Sequence, residues 1–243
     1  MRSSNPSLGK DTFRGLRADN RQQVMTINGT VNKTFLLFIL LCATAAFTWS
    51  QYFAGNDIQP LMLIGLIGGF TMALITIFLK KIAAYTAPLY ALLEGLAIGG
   101  ISAMYETQFS GITTQAILLT FGTLFSLLFI YKSGWIKVTQ NFKLGVFAAT
   151  GAVMFVYIAD LILRFFGMNV LFIHETGLVG IIISAVIVVI AALNLVLDFD
   201  FIEEGAKQQA PKYMEWYGAF GLMVTLVWLY LEILRLISKL RSK

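Results

Sequence analysis

Five ionisable side chains stand inside otherwise apolar runs of this sequence: Glu94, Asp160, Asp198, Glu232 and Arg235. A charge at the centre of a membrane helix costs about 2.5–3.5 kcal/mol on insertion scales, so such residues persist where they face a bundle interior, a partner or water. Their spacing sorts them. Asp160 lies four residues before Arg164, and Glu232 three before Arg235; on a helix each pair shares a face and can satisfy itself. Asp198 opens the run Asp198-Phe-Asp-Phe-Ile-Glu-Glu204, with Asp200, Glu203 and Glu204, which reads either as an intramembrane acid or as a solvated loop. Glu94 has no cation near it in sequence. A buried carboxylate without a cation stays protonated or shares a proton with a second carboxylate, and either behaviour makes a pH-sensitive element.

Other chemistries are scarce. One cysteine and one histidine leave no disulfide framework and no Cys/His zinc cluster. His174 sits beside Glu175 in an expected outer loop, without a nucleophile and base at matched depth. The sequence is therefore not read as an enzyme, and no catalytic residue or tightly bound cofactor is assigned.

The elements that must position the acids are read from composition. Of 243 residues, 58% are hydrophobic and 13% charged, with a mean hydropathy of +0.77; soluble domains carry about 25% charged residues. Seven runs are long enough to cross a hydrocarbon core, which takes about 20 helical residues: 34–54, 61–79, 87–105, one inside 107–131, 144–163, 176–197 and 216–236. None alternates with period two, so a barrel is excluded. The expected fold is all-α, a polytopic bundle of seven transmembrane helices within residues 34–243, with the lipid bilayer as its first partner. Residues 1–33, rich in Arg, Lys, Ser and Asn, read as a disordered basic cytoplasmic tail. A signal peptide is the competing view, but its charged region would be too long and the apolar run continues past the small residues Ala43 and Ala45. Cys42 reads as a small core residue.

The net charge of +5 is spread over short loops and tails, which argues for membrane orientation and against nucleic-acid binding. With the N-terminus inside, the cytoplasmic side collects thirteen Lys and Arg, from Arg2 to Lys212, and the outer loops only Arg164, until Arg235, Lys239, Arg241 and Lys243 fall outside. Either the last segment is re-entrant and the tail returns to the cytoplasm, or the strong early bias overrides these four charges; seven full spans are the favoured reading. Gly65 and Gly69, like Gly95 and Gly99, are spaced for close helix packing. Pro88 is expected in the first turn of its helix, and Trp49, Tyr52, Trp135 and Trp216 as interfacial anchors. Counting depth at about 1.5 Å per residue places Glu94 and Asp198 toward the inner side, and Asp160, Arg164, Glu232 and Arg235 toward the outer.

The stretch Asn194-Leu-Val-Leu-Asp-Phe-Asp-Phe-Ile-Glu-Glu-Gly205, followed by Lys212-Tyr-Met-Glu-Trp-Tyr217 and Leu229-Tyr-Leu-Glu-Ile-Leu234, resembles the transmembrane Bax inhibitor motif family, in its YccA-like bacterial branch. The resemblance implies a seven-helix bundle with the last helix near the centre, a bacterial inner-membrane location and a pH-sensitive calcium leak. It also implies a gate of two acids sharing a proton, matched here by Asp198 and Glu232, with Glu where relatives carry Asp. The depth count makes Glu94 the substitute partner of Asp198. No arginine in the second helix offers a basic latch. Oxygen ligands suit a hard cation such as Ca²⁺, and a few carboxylates supply too few oxygens for tight binding, so weak transient contact at Asp198 and Glu232 is expected. The second implication is a regulator that binds another membrane protein, such as a quality-control protease, through the tail, without transport. A pure tether has no need of Glu94 or Asp198.

Overall fold

A computed structural model describes residues 24–166 and 177–242, excluding the side chains of residues 164 and 165. Among these residues there are seven α-helices and no strand: α1 (Ile27–Phe53), α2 (Gln59–Phe78), α3 (Ala83–Gln108), α4 (Ile112–Lys132), α5 (Gln140–Phe165), α6 (Leu178–Lys207) and α7 (Met214–Arg241). All seven are long and apolar enough to cross a membrane. A short 3₁₀ turn, Lys80–Ile82, leads into α3.

The helices outrun their apolar cores. α1 starts at Ile27, with Thr26 as N-cap accepting from the Gly29 amide at 3.0 Å, so residues 27–33, expected in the tail, are helical. The disorder expected of residues 1–23 lies outside the described residues. α6 continues through the acidic run to Lys207, which corrects the loop reading of Asp198 to Glu204. Glu203 and Glu204 are good helix formers, Phe199, Phe201 and Ile202 between the acids are buried, and the chain turns only at Gln208–Tyr213. α3 starts at Ala83, so Pro88 stands inside the helix rather than in its first turn and removes one backbone bond.

The described residues form two compact units. One holds residues 24–113 and 198–224, and α3 is its hub, packing on α1 and α2. Its buried face is made of small residues, Ala83, Ala87, Ala91, Gly95, Gly99 and Ala103 among them. Such a face substitutes close backbone approach for a hydrophobic drive that lipid does not supply. The glycine spacing has that use. A Cβ at Gly65 would come within 2.7 Å of the Leu93 carbonyl oxygen on α3, and one at Gly99 within 2.7 Å of the Ala45 Cα on α1. Tyr90 meets Phe220 edge to face at 5.0 Å between ring centres, and Tyr217 packs between Phe220 and Phe201. Other large side chains of α1 and α2 face outward, Phe35, Ile67, Phe70 and Phe78 all being exposed. Cys42 is exposed on α1 rather than part of the core.

The other unit holds the described part of 114–197 and residues 225–242. Here too large apolar side chains such as Leu118, Phe125, Phe129 and Phe155 are exposed. Polar contacts join its helices: Asn194 on α6 donates to Thr150 Oγ1 on α5 at 2.8 Å. α7, which contributes to both units, is the most thoroughly buried of the seven spans. At about 1.5 Å per residue its 28 residues exceed the hydrocarbon thickness of about 30 Å, so a re-entrant last segment is not required.

Candidate functional site

Glu232 lies nine residues before the end of α7 and is 2% exposed. Burying a carboxylate costs several kcal/mol unless charge and hydrogen bonds replace water, and three side chains do so. Arg235, one turn on, places one guanidinium nitrogen 3.1 Å from each carboxylate oxygen. Tyr157 of α5 donates its hydroxyl to Oε1 at 2.8 Å, and Trp228 its indole N–H at 3.3 Å. Tyr157 also accepts from Arg235 at 2.5 Å, and the guanidinium lies 5.3 Å from its ring centre. The (i, i+3) spacing thus makes the self-satisfying pair that the sequence allows. Tyr157, 75 residues away in the chain, has no signal in spacing.

Asp198 is 2% exposed within α6. Nine helical residues follow it, so it lies about 13 Å along the axis from the end of α6. Its flanks Leu197, Phe199, Phe201 and Ile202 are buried. Asp200 is half-buried, Glu203 pairs with Lys207, and exposed Glu204 accepts from Gln208. Glu94 stands near the middle of α3 rather than toward one end. It is half-buried, and its carboxylate crosses the bare backbone of α2 where a Cβ on Gly69 would come within 2.8 Å of Oε2. Asp160 on α5 is buried, at 7% exposure; its pairing with Arg164, and His174 with Glu175, lie outside the described residues. Among the described residues, no group of three or more His, Cys, Asp or Glu gathers to hold a metal ion.

Two basic residues counted as outer-loop charges have inner partners. Arg235 holds Glu232, and Lys239, 5% exposed, donates to the Gly180 carbonyl at 3.1 Å and to Ser184 Oγ at 2.9 Å on the first turns of α6. Two of the four late charges are thereby engaged within the protein.

Glu215 is a buried acid that the sequence reading does not single out. It opens α7 and is fully buried. Its carboxylate accepts from the Thr26 amide and hydroxyl, both at 2.9 Å, from Lys212 Nζ at 2.8 Å, and from Lys33. The signal is present in Lys212-Tyr-Met-Glu215, where an acid in a helix's first turn follows a lysine by three residues.

The family model described as Bax inhibitor 1 like matches residues 5–242. The chain belongs to the Bax inhibitor 1-like family. Among curated proteins and among solved structures no match is found. Membership and seven apolar helices make this an integral membrane protein.

Proposed function

We propose that this member of the Bax inhibitor 1-like family is a pH-sensitive cation leak, with Ca²⁺ as the permeant ion and the carboxylates of Asp198 and Glu232 as its gate. The observation that carries the reading is the state of Glu232. A fully buried carboxylate is held by one nitrogen of Arg235, the hydroxyl of Tyr157 and the indole N–H of Trp228, contacts of which only one is cationic and which a proton or a passing cation can replace. Asp198, equally buried on the helix that precedes α7 in sequence, supplies the second acid. Two carboxylates in low dielectric resist ionising together, so a proton shared between them closes the pathway and its loss opens it. Passage needs only brief contact with one or two oxygens, whereas storage needs about six to eight. Glu94, on α3, is the alternative proton-binding group. The charge bias of the loops supports a cytoplasmic N-terminus, and the YccA-like motifs support a bacterial inner membrane.

The test is calcium entry into liposomes carrying the purified protein and a trapped dye, measured across pH. Asp198→Asn and Glu232→Gln should each flatten the pH profile while leaving the amount of folded protein unchanged. Wild-type profiles in both, with loss of pH dependence in Glu94→Gln, would move the gate to α3. A wild type that carries no calcium would sink the leak. The regulator of a membrane quality-control protease would then be preferred, a reading favoured by the docking of residues 24–26, within the stretch read as the basic tail, onto the turn before α7 and its first residues.

A further inference from the structure

The Glu215 contacts join two stretches of chain that are far apart in sequence, residues 24–33 and the turn before α7. Val24 pairs with Pro211 as an isolated antiparallel bridge, and the Met25 amide donates to the Ala210 carbonyl at 2.7 Å. The Met25 side chain is 2% exposed, with its methyl close enough to α7 that a Cβ on Gly218 would lie 3.5 Å from it. Thr26 then spends its amide and hydroxyl hydrogens on Glu215 while its oxygen caps α1. Lys33, two turns along α1, reaches the other Glu215 oxygen and lies 5.4 Å from the Trp216 ring centre. Lys212 approaches from the turn itself. The fit excludes a side chain at Gly29, where a Cβ would overlap the Glu215 carboxylate.

Such an arrangement exceeds what capping α1 requires. A cap needs one side-chain oxygen, which Thr26 provides unaided. The fully buried Glu215 carboxylate accepts from four donors, two of them cationic, and buried charge-assisted bonds hold their partners more firmly than neutral ones. What they hold is the Gln208–Tyr213 turn, through which the chain passes from α6 to α7. These helices carry Asp198 and Glu232.

We propose that Glu215 is the pin of a hinge. It locks the start of α1 to the α6–α7 turn, and withdrawal of residues 24–26 by a load on the preceding tail frees the first turns of α7 and shifts the contacts of Glu232 further along the same helix. The link to ion flux rests on the leak proposed above; the hinge itself does not. Undocking requires no bond to break beyond the hydrogen bonds named, and both lysines, being partly exposed, can turn to water when the carboxylate is lost.

The experiment is hydrogen exchange by mass spectrometry on the full chain in lipid nanodiscs, comparing wild type with Glu215→Gln, Met25→Ala and Lys207→Met. Glu215→Gln should speed exchange of amides 25–30 by about tenfold or more, the loss expected for bonds to a charged acceptor. Amides 228–235 should speed up by about threefold as α7 loosens. Met25→Ala undocks the same segment by removing a buried apolar side chain, and should give the same two-region pattern. Lys207→Met removes a charge from the same end of α6 without touching the clasp and should match wild type. Unchanged exchange at 25–30 in Glu215→Gln would overturn the pin. Acceleration there with 228–235 untouched would overturn the hinge and reduce the contacts to a local cap. Should Glu215→Gln not fold, Met25→Ala decides by the same two regions. In the liposome assay both undocking variants should shift the leak in one direction by about twofold or more. A silent wild type there removes the leak and leaves the hinge to be judged by exchange.

Discussion

α7 buries two glutamates, 17 residues or about 25 Å apart along its axis, and solves the same problem twice by different means. Glu215, in the first turn, is surrounded by redundancy: two lysines, a backbone amide and a hydroxyl. Glu232 has one hydrogen-bonded cation among the described residues, Arg235, which shares itself with Tyr157. Redundant partners make a fixed joint, because removing any one leaves the charge compensated. A single cation makes a site that one event can switch. The difference supports a clasp at the first glutamate, which holds the hinge closed, and a gate at the second, although both are side chains of one type on one helix with almost no exposure.

Stranding the buried charge gives the largest expected effect and tests the contrast directly. Arg235→Met leaves Glu232 without its hydrogen-bonded cation and should destabilise the protein by about 3 kcal/mol, the lower end of the cost of halving a buried pair, since Arg235 is itself partly exposed. Lys33→Met and Lys212→Met should each cost only about 1 kcal/mol, and the double variant about 3 kcal/mol or more, a non-additive sum. Unfolding titrations in detergent micelles measure all four variants. Additive lysine effects would show that the two cations act separately and that Glu215 has no reserve.

Tyr157→Phe is expected to matter less, at about 1 kcal/mol. It deletes one bond to a charged acceptor, while interhelical hydrogen bonds in membranes are worth less than their burial suggests. Its value lies in the leak assay: with the hydroxyl gone, Arg235 and Glu232 remain paired but lose their hydrogen bonds to α5, keeping only the contact of the guanidinium with the ring. A shift in the pH profile larger than the loss of stability explains would place Tyr157 among the gating contacts. A wild-type profile would confine the switch to α7.

The same two glutamates separate what spacing and hydropathy disclose from what only folding creates. Seven spans are legible in the sequence because each apolar run is as long as a hydrocarbon core is thick, and the Glu232–Arg235 pair because three-residue spacing fixes a helix face. Helix ends are not. Residues 27–33 and 199–207 are helical although many of them are polar or charged, since hydropathy reports where lipid begins and hydrogen bonding reports where the helix stops. Glu215 escapes for that reason: among charges next to an apolar run it resembles a solvated loop residue, and its main partners, Thr26 and Lys33, come from 189 and 182 residues away in the chain. Tyr157 is invisible on the same ground, an ordinary tyrosine in an apolar helix until folding sets it beside Glu232.

The smallest effect should come from Glu203, which controls for the comparison. Like Glu215 it is a glutamate on a helix end with a lysine partner, Lys207 at (i, i+4). The side chains are 35% and 66% exposed, however, so water solvates both whether or not they meet. Exposed pairs of this spacing contribute about 0.3–0.5 kcal/mol and lose most of that in salt. Glu203→Gln should therefore change stability by less than about 0.5 kcal/mol, leave exchange at residues 25–30 and 228–235 as in wild type, and leave the pH profile of any leak unaltered. The measurement is thermal unfolding at low and at high salt, where the small difference should vanish in the second. A loss comparable to that of Glu215→Gln would mean that having a lysine partner, and not exclusion from water, sets what a glutamate on these helices is worth, and the distinction between a fixed joint and a switch on α7 would lose its physical basis.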